Sequence, residues 1–240
     1  MNKEDFKKEL KEKAQKININ LNENQIEQFY TYMQLLLEWN TKMNLTAITD
    51  CKEIILKHFI DSLTIAKYIK KDQTLIDVGS GAGFPGIPLK IYREDIDITL
   101  LDSLNKRINF LNEVIKELKL EKIRAIHSRV EEFGKNKKYR ESFDVSTSRA
   151  VANLTTLSEY ILPLVKVGGE SICMKGSEVT EELKNSKKAI EILGGKIEKV
   201  DEFELANTDN KRNIIVISKI KETPKKYPRK PGMPSKEPLI

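Results

Sequence analysis

Cysteine and histidine are scarce in this sequence, with two of each in 240 residues. Cys51 and Cys173 lie far apart, so a secreted disulfide scaffold is excluded and a reducing compartment is expected. His58 and His127 are equally scattered, and no group of residues has the spacing of zinc ligands. No apolar run approaches the roughly 20 residues that a membrane span requires. The first residues mix acids with bases and contain no apolar stretch, unlike a signal peptide. The expectation is a soluble, cytoplasmic protein that does not engage a membrane. Its length suits one main domain with an appendage.

Positive charge is present but uneven. The net charge is +6, and residues 221–240 alone hold five Lys and one Arg against two Glu. The same stretch contains five of the eight prolines. Such density forbids both helix and central strand, so an extended, polyproline-like tail is expected. It reads either as a solvated terminus or as a basic arm laid along phosphates, with Tyr227 free to stack or pack.

Hydrophobic periodicity divides the rest. Ile26, Phe29, Tyr30, Met33, Leu36 and Leu37 fall on one helical face between Glu23 and Asn40. Shorter amphipathic stretches flank it, at Lys3 to Ile17 and Lys52 to Ile69. From residue 71 the period changes. Short apolar runs at Thr74–Val78, Asp97–Leu101, Ile123–His127, Phe143–Ser148 and Gly169–Met174 read as strands. Helices fit at Ile87–Tyr92, Leu104–Leu118, Asn153–Leu162 and Glu178–Leu193, the second capped by Asp102 or Ser103. This alternation predicts an α/β fold, a mostly parallel sheet covered on both faces. Lys196–Phe203 and Asn213–Lys219 have no helix between them and are expected to close the sheet as an antiparallel hairpin. The chain thus divides into a helical extension (1–70), a Rossmann-like domain (71–220) and a basic Pro-rich tail (221–240).

The glycine turn after the first strand, Gly79-Ser80-Gly81-Ala82-Gly83, is the most informative segment. Glycines let the backbone bend sharply and let a ligand approach it. The spacing does not complete the dinucleotide fingerprint: Phe84 stands where a third glycine is needed counting from Gly79, and Pro85 precedes Gly86 counting from Gly81. Asp102 closes the second strand, where a carboxylate accepts hydrogen bonds from ribose hydroxyls. A ribose without a pyrophosphate points to S-adenosylmethionine. A tight turn with no ligand, a nicotinamide dehydrogenase and a non-catalytic RNA-binding factor are the competing readings. Strand, turn, helix, strand and acid together disfavour the first, the glycine spacing and the absence of an obvious hydride-transfer histidine the second, and the intact Gly79–Gly86 turn with Asp102 the third.

The run Asp77-Val78-Gly79-Ser80-Gly81-Ala82-Gly83-Phe84-Pro85-Gly86 resembles the cofactor loop of the small-subunit rRNA methyltransferase G family, also called glucose-inhibited division protein B. Asn44-Leu45-Thr46-Ala47-Ile48, His58-Phe59-Ile60-Asp61, Thr147-Ser148-Arg149-Ala150 and Tyr227-Pro228-Arg229-Lys230-Pro231-Gly232 extend the likeness over nearly the whole chain. Ser146 departs from it, where a more apolar strand residue is expected. The resemblance implies a class I S-adenosylmethionine-dependent methyltransferase fold with a seven-stranded sheet. It implies methyl transfer to N7 of a guanine in 16S rRNA, within the 30S subunit or its assembly intermediate, by a monomer; a methyltransferase for another RNA or for a small metabolite is the alternative enzyme reading. Gly79, Ser80, Gly81 and Phe84 would line the cofactor pocket, with Asp102 and Ser103 at the ribose. Val130 and Glu131 would flank the adenine, and Arg149 would close the reacting end.

That chemistry is undemanding of side chains. Guanine N7 carries a free lone pair, so neither a base nor a covalent nucleophile is needed, only positioning. Both cysteines accordingly read as small buried hydrophobes. Ser148-Arg149-Ala150 stands where enzymes acting on exocyclic amines carry a proline-rich turn. His58 and Asp61, three residues apart on a helix, are expected to share a structural hydrogen bond, and His127 to lie in the core. Lys175, Lys225, Lys226, Arg229 and Lys230 are the candidates for phosphate contacts.

Overall fold

The computed structural model describes residues 1–239. Two long helices open it, α1 (Lys3–Lys16) and α2 (Glu23–Asn40). Asn2 caps α1, and Asn22 with Gln25 forms a reciprocal capping box on α2. Their buried faces carry Phe6, Leu10 and Ala14, then Ile26, Phe29 and Tyr32. Tyr32 is fully buried, whereas Tyr30, expected on the inner face, is only half-buried.

The third helical stretch is not one helix. It consists of α3 (Cys51–Ile54), a wide π turn at Ile55–Ile60, and α4 (Asp61–Leu63), followed by a 3₁₀ turn. Then come β1 (Thr74–Val78), α5 (Gly86–Tyr92), β2 (Asp97–Asp102), α6 (Asn105–Glu117), β3 (Ile123–His127) and a short α7 (Val130–Phe133). β4 (Phe143–Arg149), α8 (Leu154–Ile161), β5 (Val165–Lys175) and α9 (Thr180–Ile192) follow. β6 (Gly195–Glu204), β7 (Lys211–Lys219) and the single turn α10 (Met233–Lys236) complete the chain. No side chain caps α6; Asp102 instead accepts the Leu104 amide at 2.9 Å.

The seven strands lie in the order β3-β2-β1-β4-β5-β7-β6. All neighbours are parallel except β7, which runs antiparallel to both β5 and β6. The expected hairpin therefore exists, with β7 inserted beside β5 and β6 at the edge. Alternate residues of each strand feed opposite faces. On one face Leu75, Ile98, Leu100, Val145 and Ile172 join a single core with α1, α2, α5 and α6. On the other, Ile76, Val78, Leu101, Cys173 and Ile215 pack with α8 and α9. Ser146 is fully buried, and its hydroxyl pairs at 2.7 Å with that of Ser171, its register partner on β5. A polar pair thus satisfies the position where an apolar residue was expected.

The tail is also unlike its sequence expectation. It neither hangs free nor extends throughout; it straps the α8 side of the sheet and ends in α10. Arg140 donates to the carbonyls of Thr223 and Tyr227, both at 2.7 Å. The fully buried Lys219 ammonium holds the strap's root through Leu162 O, Thr223 Oγ1 and Glu141. Tyr227 is buried and so has no free face for stacking on a base.

Candidate active site

β1 ends at Val78, and the chain turns through three left-handed glycines, Gly79 (φ +72°), Gly81 (φ +59°) and Gly83 (φ +97°). The Gly79 and Ser80 amides both donate to Leu101 O on β2, at 2.8 and 3.1 Å. Asp102, 2 % exposed, completes the turn by accepting the Gly81 amide at 2.9 Å. Its carboxylate also meets Arg107 at 3.3 Å. From α2, the Tyr32 hydroxyl donates to Ala82 O, so the helical preface grips the turn as well.

A cavity of about 380 Å³ opens over this turn, lined by Gly79 to Ala82 together with Asp102, Arg149 and His58. A second, of about 210 Å³, lies beside it, lined by Ser128, Val130, Glu131 and Tyr160. The two share Gly79, Asp102, Ser103 and Val151. Val151 stands so close that a Cβ on Gly79 would come within 2.5 Å of its Cγ2. Only glycine suits that position.

Arg149, at the tip of β4, is fixed from several sides. Its Nη1 donates to Lys57 O at 2.9 Å and to Asp61 Oδ2 at 3.1 Å. The π turn leaves the Lys57 carbonyl for it, because the Asp61 amide bonds Leu56 and His58 instead. Its Nη2 lies 3.2 Å from His58 Nδ1, and its guanidinium sits 4.9 Å from the Phe84 ring centroid. His58 stacks on the same ring at 4.5 Å. A guanidinium only donates, so His58 Nδ1 accepts and Nε2–H faces Thr46 Oγ1 at 2.9 Å. Arg212 takes the other Asp61 oxygen at 2.9 Å. His58 and Asp61 thus do not bond each other; Arg149 joins them.

Two buried groups here have opposed titrations. Burial pushes Asp77 up to about 7, despite the Gly86 amide on its Oδ2, and its Oδ1 has no partner among the described residues. Burial, then the Arg149 cation, pushes His58 down to about 4. Between pH 4.5 and 6.5 folding retains the Asp77 proton but sheds that of His58. Asp77 therefore makes stability fall as pH rises, and His58 makes it rise. We expect the two slopes to offset each other in the wild type. Asp77→Asn removes one of the opposed slopes, and on acidification from pH 6.5 to 4.5 its stability should drop by roughly 2–3 kcal/mol more than that of the wild type. Urea titrations across that range check this; a variant profile parallel to that of the wild type would refute it.

Of the residues singled out from sequence, Gly79, Ser80, Gly81, Phe84, Asp102, Ser103 and Arg149 gather around the larger cavity. Val130 and Glu131 line the smaller one, although the buried Glu131 carboxylate is taken up by the Gly232 amide of the strap at 2.9 Å. Two of the five phosphate candidates are engaged within the protein. Arg229 is paired with the buried Glu159 at 2.6 Å, and Lys175 with Glu182 at 2.6 Å and Ala152 O at 2.7 Å. Lys225, Lys226 and Lys230 are exposed. His127 is not core: β3 is an edge strand, and the exposed ring meets Ser103 O at 3.0 Å. Cys173 is buried, its thiol pushed up to about 12 by burial, and Cys51 is only half-buried.

Sequence reasoning missed Tyr32, Thr46, Arg107 and Val151 as parts of the site. Lys175 and Glu182 face a third cavity of about 630 Å³, which shares His58, Arg149, Ala150 and Val151 with the first. Among the described residues no group of side chains is arranged to hold a metal ion, and no helix is long and apolar enough to cross a membrane.

The family model of rRNA small subunit methyltransferase G matches residues 25–215. A ribosomal RNA small subunit methyltransferase G from Acetivibrio thermocellus is 58% identical over 98% of this chain and 97% of its own length. One from Oceanobacillus iheyensis is 52% identical over the full length of both. Among solved structures, NSun6 from Pyrococcus horikoshii with SFG has a TM-score of 0.55 at 14% identity, covering 68% of this chain and 52% of that one. TYW2 from the same organism in complex with MeSAdo has a TM-score of 0.54 at 16% identity, covering 67% and 61%. These structures share the class I, Rossmann-like methyltransferase fold. With the family match spanning sheet, turn and cleft alike, the chain belongs to the rRNA small subunit methyltransferase G family, the enzymes that methylate small-subunit ribosomal RNA.

Proposed function

We propose that the two joined cavities bind S-adenosylmethionine and that the enzyme methylates N7 of a guanine in 16S rRNA. One arrangement carries the reading: a left-handed glycine turn bonded to Asp102, facing a cavity walled by Arg149. The residues fit the cofactor. The turn presents backbone without side chains, and Asp102 retains lone pairs beyond those taken by its two amides. The cavity sizes suit the two ends of a nucleoside-bearing ligand. Gly79, Ser80 and Gly81 would hold its amino-acid end, Asp102 and Ser103 the ribose, and Val130 the adenine face. When bound, the cofactor supplies an electrophilic methyl on a sulfonium.

The protein's task is then positioning. Guanine N7 attacks with its own lone pair, so no side chain must take a proton. His58, held neutral by burial, serves as a wall and as an anchor for Arg149. A buried thiol with its pKa near 12 is no nucleophile, consistent with direct in-line displacement. The third cavity, adjoining the first at Arg149, has room for the acceptor base. Its lining holds Lys57, Arg149, Lys175 and Arg212 against Asp61 and Glu182, a net positive balance that suits a nucleotide. In duplex RNA the N7 edge lies in a deep, narrow groove, so the target enters unpaired or flipped. We read the enzyme as a monomer acting on the 30S subunit or its assembly intermediate.

The test is incubation of the purified chain with labelled S-adenosylmethionine and unmethylated 30S particles, with protein-free 16S rRNA in parallel. Nucleoside mass spectrometry should find one 7-methylguanosine. Label on a ribose or an exocyclic amine would reject the N7 assignment, and no label on either substrate would reject the activity.

A further inference from the structure

Between α7 and β4 the chain forms a loop that sequence periodicity left unassigned. Lys135, Lys137 and Lys138 are all exposed on it. The loop lies against the C-terminal strap. A Cβ on Gly134 would meet Pro228 at 3.1 Å, and Arg140, at the loop's end, donates to three strap carbonyls. Tyr139 is stacked on Phe133 at 4.1 Å, which fixes the loop's base. Lys138 sits over the Tyr139 ring and Lys226 over the Tyr227 ring, at 5.3 and 5.1 Å.

Charge concentrates here. Residues 129–141 and 221–232 hold ten cations and four carboxylates, so these two interlocked segments account for the chain's entire net charge of +6. Two of the carboxylates point inward: Glu131 onto the Gly232 amide, and Glu141 onto Lys219 and the Thr223 amide. Glu132 and Glu222 are the exposed ones. The outer surface is therefore dominated by Lys135, Lys137 and Lys138 on one segment and Lys225, Lys226 and Lys230 on the other. It begins at the rim of the smaller cavity, where Arg129, Val130 and Glu131 form the lining.

We infer that this flank is a two-segment track for RNA phosphates, with the loop lysines as its second half; this rests on the preceding reading that ribosomal RNA is the substrate. Lysines act as point charges, suited to backbone contact without base readout. The alternative occupant of a basic surface, an anionic membrane, is held firmly where apolar side chains insert beside the basic ones. None of the large exposed hydrophobics among the described residues falls within these segments.

The test compares two full-length variants of equal charge change. One is K135Q/K137Q/K138Q; the other, K184Q/K187Q/K188Q, alters exposed lysines of α9. Binding to transcribed 16S rRNA is measured over a range of salt without cofactor, so the result does not depend on methyl transfer. For the loop variant the log–log salt slope should flatten by about 2, with affinity about tenfold weaker near 0.1 M salt. The α9 variant should match the wild type, and both should keep wild-type melting and S-adenosylmethionine affinity. An unchanged slope in the loop variant, equal flattening in both, or tighter binding to phosphatidylserine vesicles than to RNA would overturn the inference. Failure of wild-type methylation would reject the enzyme reading while leaving these slopes interpretable.

Discussion

Asp102→Ala is expected to weaken S-adenosylmethionine binding by two orders of magnitude or more while the protein stays folded. The carboxylate serves three partners at once: the Gly81 amide at 2.9 Å, the Leu104 amide at 2.9 Å and Arg107 at 3.3 Å. Hydrogen bonds to a charged acceptor contribute roughly 1.5–3 kcal/mol each, and the ribose contacts would be lost along with those that shape the turn. Alanine also leaves the Gly81 amide free, so the turn relaxes away from its bound form. The sheet does not rely on this side chain; the β1–β2 ladder continues through Val78 and Leu101 without it. Gly79→Val should have a comparable effect by another route. Its φ of +72° disfavours a β-branched residue, and its Cβ would collide with Val151. Calorimetric titration of each variant, with a melting curve to confirm folding, decides the matter. Affinity within threefold of the wild type in both would mean that the cofactor sits elsewhere.

What the sequence made legible is what short-range chemistry controls. The glycine run marks the β1 turn because no other residue takes those φ values readily. The acid closing β2 marks its partner, and the apolar step of α6 follows from helix geometry. Long-range pairings were beyond reach. His58 and Arg149 meet across 91 residues, and neither local spacing nor composition predicts it. The helix expected over Lys52–Ile69 breaks because Arg149 and Arg212 draw on the π turn and Asp61, both requirements set by distant strands. His127 looked like a core residue because strand order, which makes β3 an edge, is not encoded in its neighbours. The tail was the largest surprise. A proline-rich basic segment looks the same whether free or strapped, since the groups that hold it, Glu131, Glu141 and Glu159, come from elsewhere in the chain.

That origin makes the strap's stability testable. Arg229→Ala should destabilise the fold by about 3–5 kcal/mol, the usual loss when one partner of a buried ion pair is removed. Glu159 is 1 % exposed, and Arg229 meets it with its amide at 2.8 Å, Nε at 3.0 Å and Nη2 at 2.6 Å. The ion pair also raises the Arg229 pKa, chiefly through that side-chain hydrogen bond. Removing the guanidinium leaves a buried carboxylate with only the strap amide for compensation. In a chain of 240 residues this amounts to a fall in melting temperature of about 6–20 °C. Lys230→Ala, one residue along but exposed, should stay within about 0.5 kcal/mol of the wild type. A second effect should accompany the first. The Gly232 amide lies three residues beyond Arg229 and holds Glu131 at the smaller cavity, so a loosened strap should weaken cofactor binding as well. Guanidinium unfolding of the two variants measures the first effect, and calorimetry below the transition measures the second. If Arg229→Ala were no less stable than Lys230→Ala, the strap would not be held by its ion pair. The tail would then be what its composition first suggested, a basic arm without an anchor at Glu159.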